Sequence, residues 1–264
     1  MNIMSETVKK EIDELYARLE DIKGCAVRGE LGISAFLSPR ELHYANAYLS
    51  RTGAAFFSFG GYDGAERQRV YILPDYMEGT DYEGLEDFGF SGDTVALMLK
   101  GSGFETLSHR MVMGSLLGLG VERSVIGDII MLDGQSAVVI CDATMAEFLL
   151  GHWEKVGRDK IRLSKTELGK DFLPKREYET ISDTVASARL DCVVAAICRL
   201  SREKARAAVL DKTVEVDYEC REQPDRELSA PCVISVRGYG KFRIVSLADK
   251  TKKGRYRLLA ERFL

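Results

Sequence analysis

The sequence predicts an α+β protein of three units in series. Three observations predict it. The apolar residues switch repeatedly between helical spacing and strand alternation along the chain. The middle of the chain has the order β-α-β-β-α-β. The charge is divided unevenly: residues 181–264 carry 17 Lys and Arg against 12 Asp and Glu, whereas residues 1–180 carry 20 against 29. A basic end on an acidic body points to a polyanion partner for that end.

The first unit spans residues 1–75, a small α/β segment. Val8, Ile12, Leu15, Leu19 and Ile22 recur at spacings of four and three, which places one apolar stripe on a helix. The stripe is too short for a coiled coil and suits a docking helix. A second helix starts at Ser38-Pro39-Arg40-Glu41. Ser38 caps it, Pro39 fits the first helical position, and Glu41 closes a capping box. Residues 54–59 and 69–73 are expected strands, joined through the turn residues Gly60 to Gly64, and Pro74 ends the second.

The second unit spans residues 76–165 and is expected to be a ferredoxin-like plait. Thr94 to Lys100 is a strand, and Ser108 caps a helix reaching about Leu117. Val125 to Leu132 and Gln135 to Cys141 are paired strands around the turn Asp133-Gly134. Ala143 to Val156 is a helix, and Lys160 to Leu163 is the last strand. Plaits that bind single strands stack bases on aromatics of the two central strands. Neither Val95–Leu99 nor Ala137–Ile140 has an aromatic, so this sheet is not expected to stack bases; a ribosome or packed protein is the expected contact. Residues 166–181 are polar and are expected to be a linker.

The third unit, residues 182–264, carries the chemistry. Leu190, Val193, Val194, Ile197 and Leu200 give one helix an apolar face. Ser201 begins a second helix, with Arg202, Lys204 and Arg206 in its first turns and Ala205, Ala208 and Val209 facing inward. A helix start offers free N–H groups and partial positive charge to a phosphate. Gly238 and Gly240 allow close approach of backbone to an RNA strand. Lys241 and Arg243 alternate with Phe242 and Ile244, so both cations share one strand face. Lys252, Lys253 and Arg255 add charge near the end.

Residues 189–240 resemble the RNA-binding domain named after ribosomal protein S-four. The matching residues are Arg189-Leu190-Asp191, Leu200-Ser201-Arg202 with Lys204-Ala205, Val214 and Val216, and Ile234-Ser235-Val236-Arg237-Gly238. The whole chain resembles the YlmH family of bacterial S-four-domain proteins. That wider match lies in Gly60-Gly61-Tyr62-Asp63 with Ala65-Glu66-Arg67, in His109-Arg110 with Gly114 to Gly120, and in Thr251-Lys252-Lys253. The sequence departs from the pattern at Asp211-Lys212-Thr213, at Glu215 and Asp217, around Pro231-Cys232 and at Met111.

The resemblance implies a non-catalytic partner of the large ribosomal subunit. It implies rRNA and tRNA as ligands, in ribosome-associated quality control of stalled nascent chains. The residues expected to touch RNA are Arg189, Ser201, Arg202, Lys204, Arg206, Lys212, Arg237, Lys241, Arg243, Lys252, Lys253 and Arg255. His109, Arg110 and Arg123 are expected at a second RNA or ribosome contact. Two other readings stand beside this one. A cell-division protein would use the acidic front half as a binding surface. A pseudouridine synthase would need a large catalytic domain with an aspartate loop, and residues 1–180 show no such loop.

Other chemistry finds little support. Gly114 to Gly120 lacks the endings of nucleotide-binding loops, and close helix packing is the expected reason for its glycines. The six cysteines form no Cys-x-x-Cys pair and are expected to be free thiols in a reducing compartment. The three histidines lack metal-ligand spacing. No cofactor, metal, small-molecule substrate or membrane is expected, and the chain is expected to be a cytoplasmic monomer.

Overall fold

The computed structural model describes residues 6–169, 172–174, 178–251 and 254–263. The chain divides into two compact units, one of residues 10–175 and one that begins at residue 176.

The first unit opens within α1 (Glu6–Val27), which buries Ile12, Leu15 and Leu19 at the expected spacing. After β1 (Gly32–Ile33) comes α2 (Pro39–Thr52), started by the expected capping box. The Ser38 hydroxyl accepts from the Glu41 N–H, and the Glu41 carboxylate accepts from the Ser38 N–H at 2.8 Å. Tyr16 of α1 stacks on Tyr48 of α2 at 4.5 Å. β2 (Phe56–Phe59) and β3 (Arg69–Ile72) complete a small antiparallel sheet in the order β1-β3-β2.

The middle segment runs β4 (Thr94–Gly101), α3 (His109–Gly118), β5 (Ile126–Met131), β6 (Ser136–Asp142), α4 (Ala143–His152), β7 (Lys155–Val156) and β8 (Asp159–Thr166). The antiparallel sheet order is β5-β6-β4-β8-β7, with β6, β4 and β8 inside. α4 stops at His152, four residues short of the expected end. Trp153 turns back to donate from Nε1 to the Ser115 hydroxyl at 2.9 Å, and the Glu154 carbonyl accepts from Ile161. A two-residue strand replaces the last helical turn.

One face of this sheet presents Leu97, Leu99, Val139 and Cys141 to Val112 and Leu116 of α3 and to Ala146 and Leu149 of α4. The opposite face carries Ala96, Met98, Val138 and Ile140. It is covered by Phe36, Tyr62 and Ala65 from the N-terminal segment and by Leu168 and Phe172. Residues 1–75 and 76–165 were expected as separate units, yet their described parts from residue 10 onward form one body with a shared core.

Polar residues lock the same junction. Asp128 on β5 accepts from the Tyr62 hydroxyl at 2.5 Å and from the Glu66 and Arg67 N–H groups at 2.8 and 3.0 Å. Arg67 donates to the carbonyls of Phe36, Ile126 and Arg123. Arg69 bridges Asp93 at 2.7 Å and Asp142 at 2.9 Å. The family motif around Gly60 therefore serves to dock this segment. Gly61, at φ 93°, lies so close to Ile140 and Thr94 that a Cβ would stand 3.0–3.2 Å from them.

The second unit is β9 (Tyr178–Val185), α5 (Leu190–Ile197), α6 (Arg202–Leu210), β10 (Val214–Val216), β11 (Glu219–Cys220), β12 (Cys232–Val236), β13 (Gly240–Lys250) and β14 (Tyr256–Phe263). Its antiparallel sheet has the order β11-β10-β12-β13-β14-β9. Leu190, Val193, Val194 and Ile197 of α5 and Ala205 and Val209 of α6 bury against Val214, Ile234, Phe242, Ile244, Leu258 and Ala260. The expected linker at 166–181 overlaps this structure at both ends, since β8 holds Thr166 and β9 begins at Tyr178. β9 escapes sequence reading because Thr180, Ser182 and Thr184 dilute its apolar alternation. Among the described residues no helix is long and apolar enough to cross a membrane, and no His, Cys, Asp and Glu cluster could hold a metal ion.

Candidate nucleic-acid interface

The start of α6 is built around a buried anion. Asp191, in the first turn of α5, is 2 % exposed. Arg189 caps α5 and folds its guanidinium back onto that carboxylate with contacts of 3.2 and 3.1 Å. Arg202, the first residue of α6, reaches the same carboxylate at 3.0 Å. Burial pushes the Asp191 carboxyl up, but the hydrogen bonds from Arg189 and Arg202 outweigh it and hold the group below its ordinary value. The same hydrogen bond raises Arg202 above its ordinary value. One carboxylate thus fixes two guanidinium groups, and the cluster keeps one net positive charge.

Ser201 caps α6 and accepts from the Lys204 N–H at 3.3 Å. Its oxygen serves the helix, which leaves its hydroxyl hydrogen to donate. Ala205 and Val209 are buried, whereas Arg202, Lys204 and Arg206 lie on exposed parts of the helix. Arg202 and Arg206 are one turn apart and share a face.

Past α6 the backbone turns sharply. Lys212 adopts φ 59°, the left-handed conformation that favours glycine, and its ammonium lies 3.0 Å from Glu222. The Arg237 N–H donates to the Thr213 carbonyl at 2.9 Å, so the turn at 237–240 abuts the turn at 211–213. The structure therefore brings the Lys212 and Arg237 segments together. Asp217, a departure from the family pattern, has a structural role. It sits at φ 49° in the hairpin between β10 and β11 and accepts from the Val233 N–H at 2.9 Å.

Lys241 and Arg243 share the outward face of β13, as the alternation with buried Phe242 and Ile244 requires. Neither cation stands alone. The Lys241 ammonium lies 5.2 Å from the Tyr218 ring centroid and 5.1 Å from that of Phe263. Arg243 pairs with Glu261 at 2.9 Å and lies 5.2 Å from the Tyr178 ring. Arg255 donates to the Thr184 hydroxyl at 3.0 Å. Lys252 and Lys253 lie outside the described residues.

In the first unit His109 and Arg110 are exposed in the opening turn of α3. Arg123 is exposed beyond the other end of that helix, roughly 15 Å of helix away, and its carbonyl accepts from Arg67. The structure does not group the three. Gly114 and Gly118 correct another expectation. Both are exposed, and a Cβ at either would meet nothing within 4 Å, so close packing among the described residues does not account for them. They border an open groove with Met111, Ser115, Trp153 and Gly157.

The cysteines are free. Burial pushes the Cys141 thiol up to about 12 and those of Cys198 and Cys232 up to about 11, so these three are not thiolates at neutral pH.

Sequence reasoning missed two parts of this interface. Asp191 was visible in Arg189-Leu190-Asp191, but only its burial shows that it holds both arginines. The rings of Tyr178, Tyr218 and Phe263 are scattered over 86 residues of sequence and meet only through the sheet.

Comparison with known proteins bears on the middle segment and on most of the chain's length. Residues 90–170 match the family model described as "Putative RNA-binding domain in YlmH". The chain is 31 % identical over 231 residues to the ribosome-associated protein quality control protein P2 of Bacillus subtilis (strain 168), covering 87 % of this chain and 86 % of that protein. It also superposes on the structure of the cell division protein ylmH from Streptococcus pneumoniae. That match has a TM-score of 0.50 and 18 % identity, over 63 % of this chain and 94 % of that one. The docking motif at Gly60–Arg67, the β-α-β-β-α-β segment and the similarity along most of the length agree: the chain belongs to the YlmH family.

Proposed function

We propose that the protein is a non-catalytic RNA-binding factor that associates with the large ribosomal subunit, touches rRNA and tRNA, and acts in quality control of stalled nascent chains. The observation that carries this reading is the cationic start of α6, where Asp191 holds Arg189 and Arg202 beside exposed Lys204 and Arg206. Fixed guanidinium groups at a helix start suit phosphate oxygens. The similarity to the ribosome-associated protein of Bacillus subtilis supports the ribosome as the partner and the cytoplasm as the compartment.

In this reading the second unit is an S-four-like RNA-binding domain. Residues 90–170 form a ferredoxin-like plait whose usual RNA face is closed by Phe36, Tyr62 and Phe172. The plait then meets the ribosome through other surfaces, with His109, Arg110 and Arg123 as candidates, and the protein works as a monomer. The alternative centred on cell division draws on the acidic surface, and no geometric feature favours it.

Co-sedimentation of the full chain with purified large subunits at moderate salt tests the proposal. The informative variant is Lys204→Glu with Arg206→Glu, since both side chains are exposed and the guanidinium groups that hold Asp191 are those of Arg189 and Arg202. The wild type is expected to pellet with the subunit, and the variant to bind more weakly with a flatter salt dependence. Equal binding and equal salt slope would refute the assignment of α6.

A further inference from the structure

The outward face of the C-terminal sheet combines aromatic rings and cations in one patch. Phe242 pairs with Arg262 and Arg243 with Glu261; continuing that register brings Lys241 opposite Phe263. Phe263 in turn pairs with Tyr178 on β9. Tyr178 and Phe263 meet edge to face at 5.3 Å. Tyr218 reaches the same place from the hairpin between β10 and β11, and Lys241 lies between its ring and that of Phe263. Arg243 covers the ring of Tyr178.

The core does not require these rings. Phe242 and Ile244 point to the helices, and their neighbours Lys241 and Arg243 point away. None of Tyr178, Tyr218 and Phe263 is buried. Across β9, β14 and β13 the patch spans about 10 Å. That is comparable to the platforms on which sheet modules stack two or three bases. Glu261 lies in the patch and Arg243 pairs with it, while Glu215 shares the outward row with Lys241 through Ser235 and marks the far edge of the patch. In the five-stranded sheet of the first unit, β4 and β6 lack aromatics and their outer face is covered.

We infer that this sheet face is a base-stacking platform for single-stranded RNA, with Tyr178, Tyr218 and Phe263 as the stacking rings and Lys241 and Arg243 as cations that orient them. The inference rests on the RNA-binding reading and adds a second contact to it. The start of α6 grips phosphates. The sheet holds bases that have left a helix, so it selects unpaired RNA. Stacking tolerates any base, but purines offer the larger face.

The test uses the full chain and three probes: a short oligoadenylate, an oligouridylate of equal length and an A-form RNA duplex. The variants are Tyr178→Leu and Phe263→Leu, singly and together. Leucine keeps apolar bulk and removes the π-face. Tyr178→Trp restores a larger ring.

The wild type is expected to prefer oligoadenylate. Each leucine variant is expected to lose about fivefold to a hundredfold in affinity for it. The salt slope and duplex binding are expected to stay as in the wild type, because no phosphate contact is removed. Tyr178→Trp is expected to bind at least as tightly as the wild type.

Leucine variants that bind oligoadenylate like the wild type, while Lys204→Glu with Arg206→Glu binds weakly, would overturn the stacking platform and leave the RNA-binding reading standing. A wild type that binds none of the probes nor the ribosome would overturn both. A leucine variant that loses single-strand and duplex binding equally, or a tryptophan variant that binds no better than leucine, would assign these rings to folding and overturn the platform.

Discussion

Arg202 Nη2 lies 3.0 Å from Asp191 Oδ2, so an exposed cation at the start of α6 is anchored by a carboxylate that is almost wholly buried. Arg189 completes the arrangement from the other side. The buried acid thereby organises the basic surface. Asp191→Asn keeps the shape and removes the charge. It is expected to lower the stability of the C-terminal unit by about 1–3 kcal/mol and to weaken RNA binding, though no cation is lost.

The sign of the pH dependence follows from the depressed Asp191 carboxyl. In the unfolded chain the group titrates near about 3.9. Its stabilisation is complete above that pH and is lost as the pH falls through the lower folded value. Unfolding curves of wild type and Asp191→Asn are therefore expected to differ at neutral pH and to converge in strong acid. A gap that persists unchanged in acid strong enough to protonate the folded carboxyl would contradict the assignment.

Lys212 separates stability from binding. Its φ of 59° is a conformation that glycine adopts freely and a lysine adopts at a cost of roughly 1 kcal/mol. Lys212→Gly is expected to raise the stability of the C-terminal unit by up to that amount, less the loss of its exposed pair with Glu222, read as a higher denaturation midpoint. It is also expected to weaken RNA binding and to reduce the salt slope by about one. A stabilised protein with unchanged RNA affinity would remove Lys212 from the interface.

Local signals in the sequence were faithful wherever the physics is local. Ser38 and Glu41 gave the capping box, Ser108 and Ser201 their helix starts, and the first three middle strands fell within one residue of their expected ends, whereas the last runs on to Thr166, three residues past its own. What stayed hidden is set by distant partners. β9 is a strand because β14 lies beside it, and its own residues barely alternate. The docking of Tyr62 on Asp128 joins residues 66 positions apart. The candidate site divides the same way. The cations of α6 are visible in sequence, whereas the burial of Asp191 and the gathering of three rings on one sheet face are properties of the fold.

Asp128 tests that docking directly. Its carboxylate accepts from one hydroxyl and two backbone N–H groups. Asp128→Ala strands all three donors at a half-buried junction, and a loss of roughly 2–4 kcal/mol in the first unit is expected. Tyr62→Phe removes one donor and its loss is expected near 1 kcal/mol. Chemical denaturation of the two variants checks the order. Equal effects would mean that the backbone contacts at Glu66 and Arg67 carry no weight.

Gly114 gives the sharpest contrast between folding and function. It lies inside α3, is exposed, and has open space where a Cβ would stand. Glycine at such a position costs a helix about 1 kcal/mol relative to alanine. Among the described residues nothing crowds the position. Gly114→Ala is therefore expected to stabilise the first unit by up to that amount, read as a higher thermal midpoint. If close packing within the chain kept the glycine, the same change would lower the midpoint. Large-subunit co-sedimentation of the stabilised variant then shows whether the ribosome needs the bare helix surface. Weaker pelleting by a more stable protein would place Gly114 in a contact made outside this chain, whereas unchanged pelleting would leave the open position without a role in that complex.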